Sequence, residues 1–414
     1  MVPEPGDLQQ SVAVIPGTGS AGAVADEAAA APTATTSQVI TDLEAIRALR
    51  ADYEHLCAVT GNTLPFTLHE WHVSWCQQFL NRSAQIHEQP HFCVLRSAGG
   101  ECLAIVPLIV SRWRLGPLRL ATVALLGGDP GLTEIRNPLI SAGYEQAAVQ
   151  AVHESLADIP DWNWIQWNSV SAPLAEAIGR DGKPQWWEVS EDFVLDLPAD
   201  WDELRARLPR NLRESLRHCY NSLKRAGHSF EFVVARARDE VSQAVECFLR
   251  LHALRAHMPR GPKHPDRFAT PGAKRFLHDV CERLAQRDAV RVFQLKIGRE
   301  IVASRIGFIA GGSVYLYYSG FDPVWARYSV MTTTVAEALR YAIANGLTSV
   351  NLTTNAEQSK LRWRPRRVEY HSALVHRDSL GSRLACHAYR LVLTSQGAPA
   401  RLLKGYFWSH RIWQ

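Results

Sequence analysis

The sequence predicts an α+β protein made of two copies of one arrangement, each a mixed twisted sheet flanked by helices. Three observations lead there. From Arg291 to Thr354, three short strands in meander order are followed by a helix and another strand. The first half runs through helix, hairpin, strand, helix and strand, and the second half loosely repeats that order. Gly-Gly steps at Gly99-Gly100 and Gly311-Gly312 mark tight hairpins, which need the positive φ angles glycine supplies.

The elements follow in order. Residues 1–37, rich in Ala, Gly, Thr and Pro, bury too little to offset their ordering entropy and predict a disordered tail. They lack a basic start, which fits a secretory signal poorly. Leu43, Ile46, Leu49 and Leu56 recur at helical spacing over Leu43–Thr60. Trp71, Trp75 and Phe79 do so over Pro65–Leu80. Strands are expected at His91–Ser97, Glu101–Ser111 and Leu118–Leu126, then a loop through Gly127-Gly128-Asp129-Pro130-Gly131. A helix at Gln146–Leu156, a strand at Trp162–Trp167, a short helix at Leu174–Ile178 and a strand at Trp186–Leu197 close the first half. The tryptophans at 162, 164, 167, 186 and 187 read as core rather than as a carbohydrate platform.

Trp201–Ala226 is helical, with a break at Leu208 because the residue before Pro209 resists helical geometry. Strand Ser229–Ala235, helix Asp239–Ala256, an irregular loop Pro259–Thr270 and helix Pro271–Arg287 lead to the meander strands Arg291–Ile297, Ile301–Ile309 and Ser313–Ser319. Alternation along the last puts Tyr315 and Tyr317 on one face and Val314, Leu316 and Tyr318 on the other. Helix Met331–Asn345, strand Val350–Thr354 and a polar-to-basic stretch Asn355–Arg367 complete the unit. Residues 379–414 form a basic, partly amphipathic helical tail with Tyr406, Phe407, Trp408 and Trp413. The domains expected are 38–198 and 199–378, between the two tails.

Bulk properties narrow the function classes. Basic and acidic residues number 45 and 41, so nothing drives the chain toward nucleic acid or membrane as a whole. The longest apolar run, Cys102–Val110, is about half the ~20 residues a membrane helix needs. Eight scattered cysteines without a CxxC pair read as reduced, with no structural metal site, and point to the cytoplasm.

Several segments then carry a resemblance. "SGFDPVWARYS" (Ser319–Ser329), "NGLTSVNL" (Asn345–Leu352) and "SKLRW" (Ser359–Trp363) resemble the second domain of CelD/BcsL-type acetyltransferases, in the tandem-domain branch of the GNAT superfamily. "FLRLHALRAHMPRG" (Phe248–Gly261), the basic helix Leu208–Gly227, "PFTLHEWHVSWCQQF" (Pro65–Phe79) and "AIVPLIVSRWRLGPLRL" (Ala104–Leu120) resemble further parts of that family. The resemblance covers about Leu64 to Val375 and rests on the order and spacing of these segments. It implies two tandem GNAT-like domains and transfer of an acyl group from acetyl-CoA or another acyl-CoA to an amine or hydroxyl of a small molecule or saccharide. No metal is implied.

The resemblance also implies a site. The cofactor would lie in a splay between two central strands, its pyrophosphate against backbone N–H groups at the next helix start. Here Tyr328–Thr333 would supply the donors, with Arg327, Ser329, Thr332 and Thr333 binding the cofactor. Relatives carry Pro-Gly after Tyr-Ser, whereas this chain reads Val330-Met331, which restricts close backbone approach. His252, Arg255, Lys360 and Arg362 would bind substrate. Tyr318, Asp322 and Tyr328 are the candidates to take the acceptor's proton. Two other readings stay open. The Arg-rich helix from Arg205 to Arg225 would suit the charged tRNA used by Fem-type aminoacyl transferases, and a helix start without glycine would suit a non-catalytic binding protein. Polysaccharide biosynthesis is an association of the relatives.

Overall fold

The computed structural model describes residues 35–81, 85–115, 118–129, 131–159, 161–258, 264–395 and 397. Most of the disordered-tail expectation, and the four aromatic residues of the C-terminal tail, lie outside them. The described residues fall within one compact unit.

The first described element is β1 (Thr35–Ile40), which takes residues 35–37 out of the tail expected to be disordered. Helices α1 (Leu43–Ala48) and α2 (Arg50–Val59) replace the single helix expected there, and α3 (His69–Phe79) follows a 3₁₀ turn at Pro65–Thr67. The first half continues with β2 (Ile86–Ser97), β3 (Cys102–Leu115), β4 (Leu118–Leu125), the short β5 (Leu139–Ile140), α4 (Glu145–Ser155), β6 (Trp162–Val170), α5 (Ala172–Asp181) and β7 (Gln185–Asp196). The second half has α6 (Trp201–Arg207), α7 (Arg210–Arg225), β8 (Phe230–Ala235), α8 (Arg238–Ala256), α9 (Pro271–Ala285), β9 (Val290–Ile297), β10 (Glu300–Ala310) and β11 (Ser313–Phe321). After a 3₁₀ turn at Pro323–Tyr328 come α10 (Val330–Ala344), β12 (Ser349–Thr354), the single turn α11 (Gln358–Leu361), β13 (Arg366–His376) and α12 (Leu380–Thr394). Among the described residues, no helix is long and apolar enough to cross a membrane.

All strands join one sheet, in the order β1-β2-β3-β4-β6-β13-β7-β12-β11-β10-β9-β8, with β5 on the side of β3. Read from either edge, four strands in antiparallel sequence lead to a parallel pair, β4 with β6 or β11 with β12. The next strand inward is then exchanged. β7 leaves β6 and pairs with β12, while β13 leaves β12 and pairs with β6. β7 and β13 pair with each other from Arg366↔Val194 to Leu374↔Gln185 and weld the halves together. The α+β class and the repeated order hold, but the spatial halves are not the contiguous ones. β13 falls in a stretch to which the sequence reading assigned no strand.

Helices cover both faces. α1, α2, α3, α8 and α9 share one continuous core on the first face, with Trp71, Phe92, Phe248, Phe276, Tyr315 and Tyr317 in it. On the opposite face α4 and α5 pack against the first half's strands, and α6, α7 and α10 against the second half's. The sequence of α7 dictates this. Leu212, Leu216, Cys219 and Leu223 form a buried stripe, and the arginines between them stay outside. The break at Leu208, whose backbone is extended, separates α6 from α7 as expected. Trp167 is buried, and Trp164 stacks on Tyr389 of α12 with ring centroids 5.0 Å apart, so both serve the core.

Candidate functional site

The site begins where β11 and β12 part. They pair in parallel only over Ser313↔Ser349, Val314↔Val350 and Tyr315↔Asn351. Both strands then deviate. On β11 a bulge opposite Arg305 and Gly307 adds a residue, so Tyr317 and Tyr318 both turn toward α8. This corrects the strict alternation, which placed Tyr318 with Val314 and Leu316. At the end of β12 and just beyond it, Thr353 and Asn355 adopt left-handed backbone angles (φ 74° and 71°), a costly conformation for a β-branched residue such as Thr353. The Lys360 ammonium holds this corner. It donates to Thr353 Oγ1 at 2.8 Å, to the Thr354 carbonyl, and to the Asn355 carbonyl at 3.5 Å.

The gap opens into a cavity of about 450 Å³ that runs through the sheet. Its wall on one face comes from the start of α10 (Met331, Thr332, Val335) with Arg362 and Trp363. On the other face it is lined by His252 and Arg255 of α8, with His264 and Arg267 beyond that helix. Gly320 makes the α8 wall possible, because a Cβ there would lie 2.2 Å from the His252 backbone nitrogen.

The first half also reaches into this cavity. The loop after β4 folds around Asp129, which is buried and accepts the N–H groups of Leu132 (2.6 Å) and Thr133 (2.8 Å), the Thr133 hydroxyl (2.6 Å) and the Trp75 indole N–H (3.0 Å). Tyr317 and Tyr318 of β11 donate their hydroxyls to the carbonyls of Leu132 and Gly131. Held from both sides, the loop presents Gly131, Thr133 and Glu134 to the cavity.

Glu134 keeps part of its surface on the cavity while protein encloses it otherwise. Burial pushes its carboxyl up, against the lowering effect of the Tyr315 hydroxyl (2.5 Å), of Lys360 and of the Thr354 N–H. Behind it sits Asp192 of β7, fully buried, accepting from Asn351 Nδ2 at 2.8 Å and facing the Tyr315 hydroxyl at 3.5 Å. Burial raises the Asp192 carboxyl to about 7, and the charge of Glu134 adds to the rise. The two carboxyls thus flank one phenol, whose own proton burial holds firmly.

The residues proposed from sequence divide in two. His252, Arg255, Tyr318, Thr332, Lys360 and Arg362 all line the cavity. His252 is fixed as a neutral ring between the Ser319 carbonyl (3.0 Å) and the Arg267 N–H (3.3 Å), and burial lowers its basicity. The Tyr318 hydroxyl is occupied by Gly131, and burial raises its pKa far out of a base's range. Asp322 instead caps the 3₁₀ turn, accepting the Val324 N–H at 3.0 Å. Tyr328 is buried beside Leu223 and Val330, and the exposed Arg327 lies over its ring. Ser329 takes an exposed left-handed position (φ 53°, ψ 41°) at the start of α10. Thr333 is fully buried. None of these five lines the cavity.

At that helix start, Thr332 and Thr333 return their N–H groups to the Ser329 carbonyl (2.9 and 3.3 Å). The N–H groups of Val330 and Met331 have no partner within the helix. Arg362 donates to Thr332 Oγ1 at 2.9 Å, and its Nε is buried without a partner. This corner therefore suits a phosphate even without glycine. Cysteines take no part. All are unpaired, none lines the cavity, and burial pushes thiols such as Cys76 up to about 12.

Glu134, Asp192, Tyr315, Arg305 and Asn351 were not singled out from the sequence. Only the charge of Asp192 directly before the apolar run Phe193–Leu195 hints at it.

Residues 210–363 match the family model described as an acetyltransferase (GNAT) domain. No curated protein shows significant sequence similarity to the chain. Among solved structures, FemX aligns with TM-score 0.52 at 10% identity, covering 77% of this chain and 95% of that one. A conserved protein of unknown function from Bacteroides thetaiotaomicron VPI-5482 aligns with TM-score 0.51 at 12% identity, covering 82% of this chain and all of that one. At such identities these likenesses establish the fold.

Proposed function

We propose that the protein transfers an acyl group from an acyl-CoA, acetyl-CoA being the first candidate, to an amine or hydroxyl of a small molecule or saccharide. The observation that carries this reading is the cavity through the β11–β12 gap, open to a helix start on one face of the sheet and to α8 on the other. Donor and acceptor would enter from opposite faces and meet in the gap. On the α10 side, the N–H groups of Val330 and Met331 and the Arg362 guanidinium face the donor's phosphates. On the α8 side, the acceptor's nucleophilic atom attacks the thioester carbonyl carbon. The new C–N or C–O bond forms, the C–S bond breaks, and the thiolate leaves. Glu134 takes the nucleophile's proton, and the raised carboxyl of Asp192 behind Tyr315 tunes it. Positioning two substrates in one enclosed gap supplies much of the acceleration.

Two measurements test this. Titration calorimetry with acetyl-CoA is expected to give saturable binding, and a thiol-release screen over sugars, amino acids and polyamines to give turnover. Glu134→Gln is expected to keep acetyl-CoA affinity and lose about 10²-fold or more in turnover. No binding and no thiol release in the parent protein would end the proposal.

One observation favours a second reading. Exposed Arg205, Arg213 and Arg217 on α6 and α7 line another cavity, of about 480 Å³. A Fem-type transfer from aminoacyl-tRNA would use such a stripe, and would show as tRNA binding that falls steeply with salt.

A further inference from the structure

The cavity holds two guanidinium groups that no carboxylate pairs with among the described residues. Arg305 projects from the middle of β10 on the face of its cross-strand partner Phe293, where α10 packs, and donates to the Leu316 carbonyl at 2.7 Å. Arg255, at the end of α8, donates to Ser319 Oγ at 2.6 Å and to the His264 ring at 2.9 Å. The Nε atom of each is buried and has no hydrogen-bond partner. Burial and the neighbouring Arg255 charge together bring Arg305 down to about 10, while burial lowers Arg255 against the opposing charge of Glu357. Glu134 and Glu357 act on Arg305 from farther off, in the stabilising direction, and neither forms an ion pair with it. His264 adds no further positive charge, since burial and Arg255 both lower its basicity.

Two like charges held together in a closed space are costly unless an anion joins them. Guanidinium forks are suited to that partner, because their planar N–H pairs match the oxygens of a carboxylate or phosphate. The donor's phosphates do not meet this need at Arg255. They would sit at Thr332 and Arg362, on the face where α10 packs, whereas Arg255 comes from α8 on the opposite face.

We propose that Arg255 and Arg305 bind an anionic group of the acyl acceptor, a carboxylate or a phosphate, and so hold its nucleophilic atom toward Glu134. The acceptor is then an acidic molecule, an amino acid or a phosphorylated sugar in chemical class, rather than a polyamine or a neutral sugar. The acceptor role rests on the acyl-transfer reading; anion binding at the two arginines does not.

The experiment is thermal unfolding of the full chain at fixed ionic strength, titrated with inorganic phosphate in one arm and acetate in the other. At least one anion is expected to raise the unfolding midpoint saturably, and the stronger arm names the group. Arg255→Gln is expected to weaken that anion's apparent affinity about tenfold or more, the usual scale for a charge-assisted hydrogen bond. Arg305→Gln is expected to do the same, and Arg362→Gln to leave the Arg255-dependent part unchanged, phosphate at the helix start being a separate, Arg362-dependent event. If Arg305→Gln does not fold, Arg255→Gln decides alone. The inference falls if neither anion stabilises the parent, or if Arg255→Gln weakens neither anion's effect. It also falls if only Arg362→Gln abolishes it. Acetyl-CoA binding on the same samples separates the two claims, because a parent that binds the anion through Arg255 but not acetyl-CoA refutes the transfer reading alone.

Discussion

Asp192 shows what a single residue contributes to this site and what it costs the fold. Its carboxyl rises from the ordinary range near ~4 to about 7 in the folded protein. Between those values the folded chain keeps a proton that the unfolded chain has released. Stability therefore falls as pH rises through that window and stays lowered above it. The effect is on the order of a few kcal/mol, at about 1.4 kcal/mol for each pKa unit. Asp192→Asn keeps an acceptor for Asn351 Nδ2 and deletes the titration. The variant is thus expected to gain stability relative to the parent as pH climbs from about 4 to about 8, as denaturant unfolding can measure. A parent–variant difference that stays flat with pH would contradict the raised carboxyl. The same residue marks where sequence reading stops. Lys360, Arg362, His252 and Arg255 stood out because their segments keep an order and spacing that resemble a family. Asp192 and Glu134 do not, since what makes them special is their partners. Tyr315 is 123 residues from Asp192 and Asn351 is 159, and nothing local in the chain encodes those meetings.

At the scale of elements, the site depends on irregularities that periodicity does not reveal. Hydrophobic spacing and the Pro209 break gave α7, α8, α10 and the meander. The bulge in β11, the turned corner at Thr353 and the short β11–β12 pairing are settled by tertiary packing. Two backbone positions test this. Ser329 holds a left-handed conformation in which a side chain costs about 1 kcal/mol. Ser329→Gly removes that cost but adds unfolded-state entropy, so a net gain of about 0.5 kcal/mol is expected in chemical denaturation. It would also clear the helix start, and a rise in acetyl-CoA affinity should accompany it if phosphates dock there. Gly320→Ala is the opposite case. Its Cβ would meet the α8 backbone, which cannot step aside as a side-chain tip can. A loss of about 3 kcal/mol is expected, as in overpacked cores, together with lower affinity for whatever binds between Arg255 and Tyr318. Near-parental stability would mean that α8 does not sit against β11 as described.

For the whole molecule, the decisive feature is the exchange of β7 and β13. The repeated element order was legible because each half carries its own hydrophobic pattern. The exchange was not, because a strand's own pattern fixes which face is buried but not which neighbour it joins. It also explains why the cavity draws on both halves. β7 carries Asp192 into the second half's sheet, and the loop after β4 brings Glu134 beside it. Cutting the chain between Pro198 and Ala199 would leave each piece lacking an inner strand of its sheet. The piece from Ala199 onward would expose the β12 edge and strand Asn351 without Asp192. Its β13 would lose both neighbours, β6 and β7. The expectation is that a protein cleaved there after folding stays together on size exclusion and keeps its acetyl-CoA affinity, whereas either piece expressed alone is insoluble or unfolded. Exposed inner strands pair with whatever is at hand, so aggregation is the natural outcome. Two pieces that each fold as soluble monomers would show that the halves are self-sufficient, and the shared gap would lose its structural basis.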